Sequence, residues 1–183
     1  AIGFAGFIGL NYYNDHKLQQ EVNTSEAYQT MIEAAASDAT GFEAAGKAFI
    51  AENDSSSYTM LTAIALAKEA AVKEDWAQAE SYLMTAIEKS VDDGIKAIAT
   101  VRLARVQLQL EKYEQALTTL AAKLPASFNA DAEEVKGDIY FKQGKMELAR
   151  SAYQAAIDDA SDGTSPALQM KLDDLAQVID LSK

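Results

Sequence analysis

From residue 12 onward, apolar side chains recur at helical spacing in blocks separated by polar or glycine-bearing turns. Leu18, Val22, Tyr28, Met31, Ile32 and Ala35 recur at spacings of three, four and six, which predicts one long helix over residues 12–36. Thr40-Gly41-Phe42-Glu43 has the form of a capping box and opens a second helix that runs to about Asn53. Ser55-Ser56-Ser57 is a linker too short to separate domains. Helices are then predicted at about 58–73 and 76–90, with Asp75 capping the second and Gln78 three residues on. Asp92-Asp93-Gly94 closes this pair, and the next pair spans about 95–110 and 113–123 before Pro125 stops it. A polar turn from Asp158 to Thr164 precedes a last helix. Ser165 is its cap and Pro166 its first residue. Leu168, Leu172, Leu175, Ala176 and Ile179 make one face of that helix, which runs from Ala167 to about Leu181.

Residues 130–157 show what the blocks have in common. Small residues stand at Gly137, Ala149 and Ala156, bulky ones at Tyr140 and Tyr153, and Lys142-Gln143-Gly144 interrupts the helical pattern between them. Small positions let two antiparallel helices approach, large ones fill the gap, and Gly144 supplies a permissive backbone for the turn. Met146 follows the turn; Tyr113 lies 33 residues before it and Trp76 another 37. Each is followed three residues later by alanine (Ala79, Ala116, Ala149) and four further on by Leu83, Leu120 or Tyr153. Leu66-Ala67, Leu103-Ala104 and Lys136-Gly137 match in the preceding helices. A helix–turn–helix unit of about 34 residues is the tetratricopeptide repeat, whose copies must stack to bury their apolar faces. The fold class is all-α: a solenoid of helical hairpins with repeats at about 60–93, 97–128 and 130–163 and a capping helix at 166–182.

The 183 residues suit one repeat array, and two prolines favour helix throughout. A net charge of −12, from 28 acidic and 16 basic residues, disfavours nucleic acid and anionic lipid surfaces. It fits a basic partner. With no cysteine there is neither a disulfide nor a thiolate site. Residues 1–10 carry no charge, and Tyr12-Tyr13 follow, as at the outer edge of a membrane helix with its aromatic belt. Residues 1–13 are therefore read as the end of a truncated transmembrane anchor, and 14–183 as the folded domain; the plainer alternative is an apolar helix end packed on that domain.

Val101-Arg102-Leu103-Ala104-Arg105-Val106-Gln107-Leu108-Gln109-Leu110 and Ala116-Leu117-Thr118-Thr119-Leu120 resemble the YfgM family, which has the tetratricopeptide-like fold. Lys136-Gly137-Asp138, Gly144-Lys145 and Ala149-Arg150-Ser151-Ala152-Tyr153 are similar too, as are Lys47-Ala48-Phe49 and Ala51-Glu52-Asn53. The resemblance implies a single-pass bacterial inner-membrane protein with its domain facing the periplasm. It further implies an ancillary subunit of the SecYEG translocon that associates with PpiD, a membrane-anchored periplasmic chaperone, beside the exit where nascent secreted polypeptide emerges. A self-associating helical-repeat scaffold is the alternative.

No catalytic constellation, metal site or cofactor motif emerges. His16 is the lone histidine and reads as solvated or interfacial; there is no nucleophile elbow, P-loop, dinucleotide fingerprint or His-Glu-x-x-His. Asp158 to Gly163 superficially resembles a calcium loop, but Ala160 and Gln169 fall where it needs a side-chain oxygen and a bidentate carboxylate. Trp76 reads as packed between helices. By resemblance to the tetratricopeptide family, first-helix positions line a concave protein-binding face. Carried over, these are Leu61, Ile64, Lys68, Ala71 and Val72, then Ile98, Val101, Arg105, Leu108 and Gln109, then Asp131, Glu134, Asp138, Phe141 and Lys142. An apolar groove with a few charges suits an amphipathic helix or an unfolded segment.

Overall fold

A single kind of turn, repeated three times, divides the chain into hairpins. At each one the helix ends in a residue with left-handed backbone: Glu74 and Glu111 at φ 58° and Gly144 at φ 73°. The next amide then reaches back five residues, Asp75 to the Ala70 carbonyl, Lys112 to Gln107 and Lys145 to Tyr140, each at 2.9 Å. These are the six-to-one closures that satisfy carbonyls at a helix end and reverse the chain.

The computed structural model describes residues 15, 18–19, 21–33, 41–54, 56–160 and 165–181, with side chains of the last helix described as far as Leu175. The expected anchor at 1–13, His16, Thr40 and most of the 158–164 turn lie outside them. The helices are α1 (21–33), α2 (Phe42–Glu52), α3 (Ser57–Val72), α4 (Trp76–Lys89), α5 (Asp93–Gln109), α6 (Tyr113–Leu120), α7 (Asn129–Lys142), α8 (Met146–Asp158) and α9 (Pro166–Leu181). Among the described residues there is no strand, and no helix is long and apolar enough to cross a membrane. The three repeats are α3–α4, α5–α6 and α7–α8.

The caps follow the short polar side chains. Asp75 accepts from the Gln78 amide at 3.1 Å and Ser165 from that of Leu168 at 3.1 Å, as expected from the sequence. Asp92, expected to close the first repeat, instead opens α5 by accepting from the Ile95 amide at 2.8 Å, so that helix begins earlier than its apolar pattern does. At α2 the N-cap is Gly41, which makes no side-chain cap bond. Glu43, read as part of a capping box, lies 2.8 Å from Lys47 and 3.4 Å from Lys73. The Lys47 hydrogen bond is the main cause holding its carboxyl below the ordinary glutamate value. α6 stops at Leu120, short of the expected 123: the Ala121 amide is shared between the Leu117 and Thr118 carbonyls, and that of Ala122 takes the i−3 carbonyl of Thr119, before extended chain leads to Pro125. A 3₁₀ turn, Ala126–Phe128, then feeds α7.

Packing bears out the reading of small and large positions. Ala79, Ala116, Ala149 and Ala156 are fully buried where helices touch. A Cβ on Gly137 would stand 2.3 Å from the Tyr153 ring, so only glycine allows α7 and α8 this separation. Leu66, Leu83 and Leu103 join α2 to α5 in one core, against which Trp76 packs half-buried. Val101, Leu120, Val135 and Ile139 fill the joint of α5, α6 and α7, and Tyr153, Leu168 and Leu175 that of α8 and α9. The N-terminal hairpin is docked through Tyr28, whose ring meets Phe49 edge-on at 5.9 Å and lies 4.9 Å from Tyr58. Tyr58 donates to Ser25 Oγ at 3.0 Å.

Candidate protein-interaction site

The first helices α3, α5 and α7 carry the residues expected on the concave face, but they do not present them equally. Lys68, Val72, Arg105, Gln109, Phe141 and Lys142 are exposed, with Val72 at 71% and Phe141 at 40%. Leu61, Ile64, Ala71, Ile98 and Leu108 are half-buried; Ile64 and Ala71 lie against the first core and Leu108 against the second. Val101 is 3% exposed inside the α5–α7 joint, which corrects its expected place on the face. A valine one turn from Arg105 looks like a lining residue in sequence, yet the helix crossing turns it toward Val135 and Ala132.

Charges bridge successive first helices. Arg105 of α5 donates to Asp131 of α7 at 3.2 Å. At the third repeat Glu134 and Asp138 are held by a residue the sequence reading missed. Lys171 of α9 donates to Glu134 Oε1 at 2.7 Å and to the two Asp138 oxygens at 2.8 and 2.9 Å. Tyr153 Oη donates to Asp138 Oδ1 at 2.7 Å, and the Lys171 ammonium stands 5.7 Å from the Tyr153 ring centre. The signal was present: Lys171 falls in the apolar row of Leu168, Leu172 and Leu175, where a lysine needs a buried partner. Burial opposes its charge, but the bonds it donates to Asp138 and Glu134 outweigh that and leave its pKa above the ordinary lysine value. Burial, then the Asp138 hydrogen bond, pushes the Tyr153 phenol far up, so it is a donor at any ordinary pH.

A second polar cluster lies between the first two repeats. Glu80, 8% exposed, accepts from Lys112 at 2.6 Å and from Gln107 at 3.3 Å, while Thr119 donates to the Gln107 side-chain oxygen Oε1 at 2.7 Å. It joins α4, α5 and α6 and fixes their register. Among the described residues no group of His, Cys, Asp and Glu could hold a metal ion. Asp158, at the start of the loop resembling a calcium site, accepts from Gln154 at 2.9 Å.

Comparison with known proteins agrees in scope with this architecture. A family model described as a tetratricopeptide repeat-like domain matches residues 1–177. A Haemophilus influenzae protein named ancillary SecYEG translocon subunit is 30% identical over 174 residues, covering 95% of this chain and 85% of its own length. Its namesake from Escherichia coli is 30% identical over 176 residues, covering 96% and 85%. That from Neisseria gonorrhoeae is 30% identical over 176 residues, covering 93% and 83%.

Proposed function

This chain belongs to the YfgM family of tetratricopeptide repeat-like proteins, and on that premise we propose that it is a non-enzymatic interaction module ancillary to the SecYEG translocon. In this reading residues 1–13 end an inner-membrane anchor, and the repeats stand on the periplasmic side. There they link the translocon to a PpiD-like membrane-anchored chaperone and meet nascent secreted polypeptide. The observation that carries the reading is a match to named translocon subunits that runs along 95% of the chain, over a hairpin array. Exposed Val72, Arg105, Phe141 and Lys142 on its first helices supply mixed apolar and charged contacts of the kind that seat a helix or an extended segment.

Photocrosslinking in the membrane tests it. A crosslinkable residue replaces Phe141, Arg105 or Val72 in the anchored protein, with the exposed α8 residue Gln154 as control. Adducts to a translocon component, chaperone or nascent chain from the first-helix positions alone are the expected result. Equal labelling from Gln154, or none from any first-helix position, sinks the proposal for this face.

A further inference from the structure

Glu134 and Asp138 stand four residues apart on one face of α7, an arrangement in which like charges repel unless a cation lies between them. The chain supplies that cation from its own last helix, through the three Lys171 contacts of 2.7, 2.8 and 2.9 Å. Tyr153 completes the socket by donating to Asp138 and placing its ring beneath the ammonium. Around the lysine, Leu168 and Leu175 are buried against Ala149, Tyr153 and Ala156, and Leu172 is half-buried. α9 thus engages α7 and α8 through Leu168, Lys171, Leu172 and Leu175. Those are offsets of three, four and seven residues, by which an amphipathic helix is read in a groove. Gln169, Met170, Asp173 and Asp174 are exposed, so α9 is gripped from one side, as a bound helix is.

We propose that α9 is an internal stand-in for a partner helix. The α7–α8 socket takes an amphipathic helix bearing a lysine with apolar residues three before it and one and four after it, and α9 vacates the socket when such a helix docks. The net charge of −12 favours a basic segment as that partner. The tether gives α9 an effective concentration near the millimolar range, so a free helix meets strong competition in the resting chain. The proposal rests on the repeat face being a docking surface, but it concerns the third repeat alone and its test needs no translocon.

The test uses the full chain and a fluorescent peptide with the sequence of residues 166–181. Replacing Lys171 by alanine in the chain weakens the tethered competitor and leaves the socket intact; anisotropy should then show peptide affinity rising by about tenfold over the unaltered chain. A peptide with alanine for its lysine should lose about tenfold on the K171A chain, since its charged contacts are gone. Glu134→Gln with Asp138→Asn should abolish that difference between peptides. Hydrogen exchange on the isotopically labelled, unaltered chain with unlabelled peptide above the millimolar effective concentration of α9 gives a readout that no variant can confound: the labelled α9 amides exchange faster while α3 to α6 stay protected. Affinity unchanged by K171A, peptide binding indifferent to its lysine, or α9 exchange unmoved by excess peptide overturns the proposal. Failed crosslinking with intact peptide exchange removes the translocon reading and leaves this one standing; the reverse result does the opposite.

Discussion

Glu74 and Glu111 do the work of Gly144 at a cost. A side chain in left-handed backbone loses roughly 1–2 kcal/mol to the clash of its Cβ with the carbonyl, whereas glycine does not. Glycine also has more freedom to lose on folding, by up to about 1 kcal/mol, so the net gain on substitution is smaller. E74G and E111G should each raise stability by about 0.5 kcal/mol, read as a higher urea midpoint at unchanged slope. Gly144 and Gly137 were legible because glycine at a turn or a helix crossing announces its reason. Glu74 and Glu111 announce nothing; only their register with Gly144 identifies them. Lys171 carries a pH prediction. Its folded pKa lies above the ordinary 10.5, so its contribution is fully present below that value and fades as pH rises through the folded one. Tyr153, raised from 10.0, adds a loss on the same alkaline side, because the unfolded phenol ionises first. Melting curves of the unaltered chain and of K171M should differ at neutral pH and converge above the folded lysine value. A difference that persists there would contradict the assignment.

Among the helices, the second of each pair was easier to read than the first. α4, α6 and α8 carry a clean apolar stripe, while the buried positions of α3, α5 and α7 are spread more widely around each helix. In α5, Ala97, Thr100, Val101, Leu103, Ala104 and Gln107 are all buried, so one-face periodicity dissolves there. The caps at Asp75 and Ser165 were legible, whereas Asp92 and Ser56 cap helices although they read as a closing turn and a linker, and the end of α6 was missed where its last turn tightens. The three turns are equivalent, but the residue before the second helix is Asp75 in one repeat and Lys112 or Lys145 in the others. Lys145 makes no side-chain cap bond and places a cation at the positive end of α8. Lys145→Asp should therefore stabilise the chain by about 1 kcal/mol, and Asp75→Ala should cost about as much, both measured by chemical denaturation. A loss of stability in K145D would show that its 6.0 Å approach to the Tyr140 ring outweighs a cap.

Across the whole molecule, each hairpin meets mainly its neighbours, and cooperativity depends on the joints between them. Glu80 is the polar tie at the first joint. Glu80→Ala leaves Gln107 and Lys112 without their acceptor and should cost about 1–3 kcal/mol. It should also broaden the urea transition, because repeats that no longer share a tie unfold less together. An unbroadened transition would place the coupling in apolar contacts alone. The array and its register could be read from spacing, but what covers each part of the face could not. Periodicity assigns Val101 and Arg105 to the same stripe of α5, yet one packs in the joint and the other pairs with Asp131. Nor does a pattern internal to α7 reveal that the last helix sends a lysine to Glu134 and Asp138. Such facts belong to chain segments distant in sequence and adjacent only after folding.

The closing of the array at α9 also bears on how such a protein changes size over generations. With Leu168, Lys171 and Leu175 covering the side that α7 and α8 would offer to a further hairpin, a copy of the unit placed after α9 would meet the polar outer face of α9 instead. A copy inserted between α6 and α7 meets the same kind of surface on both sides. An added repeat is therefore accommodated more readily inside the array than against α9.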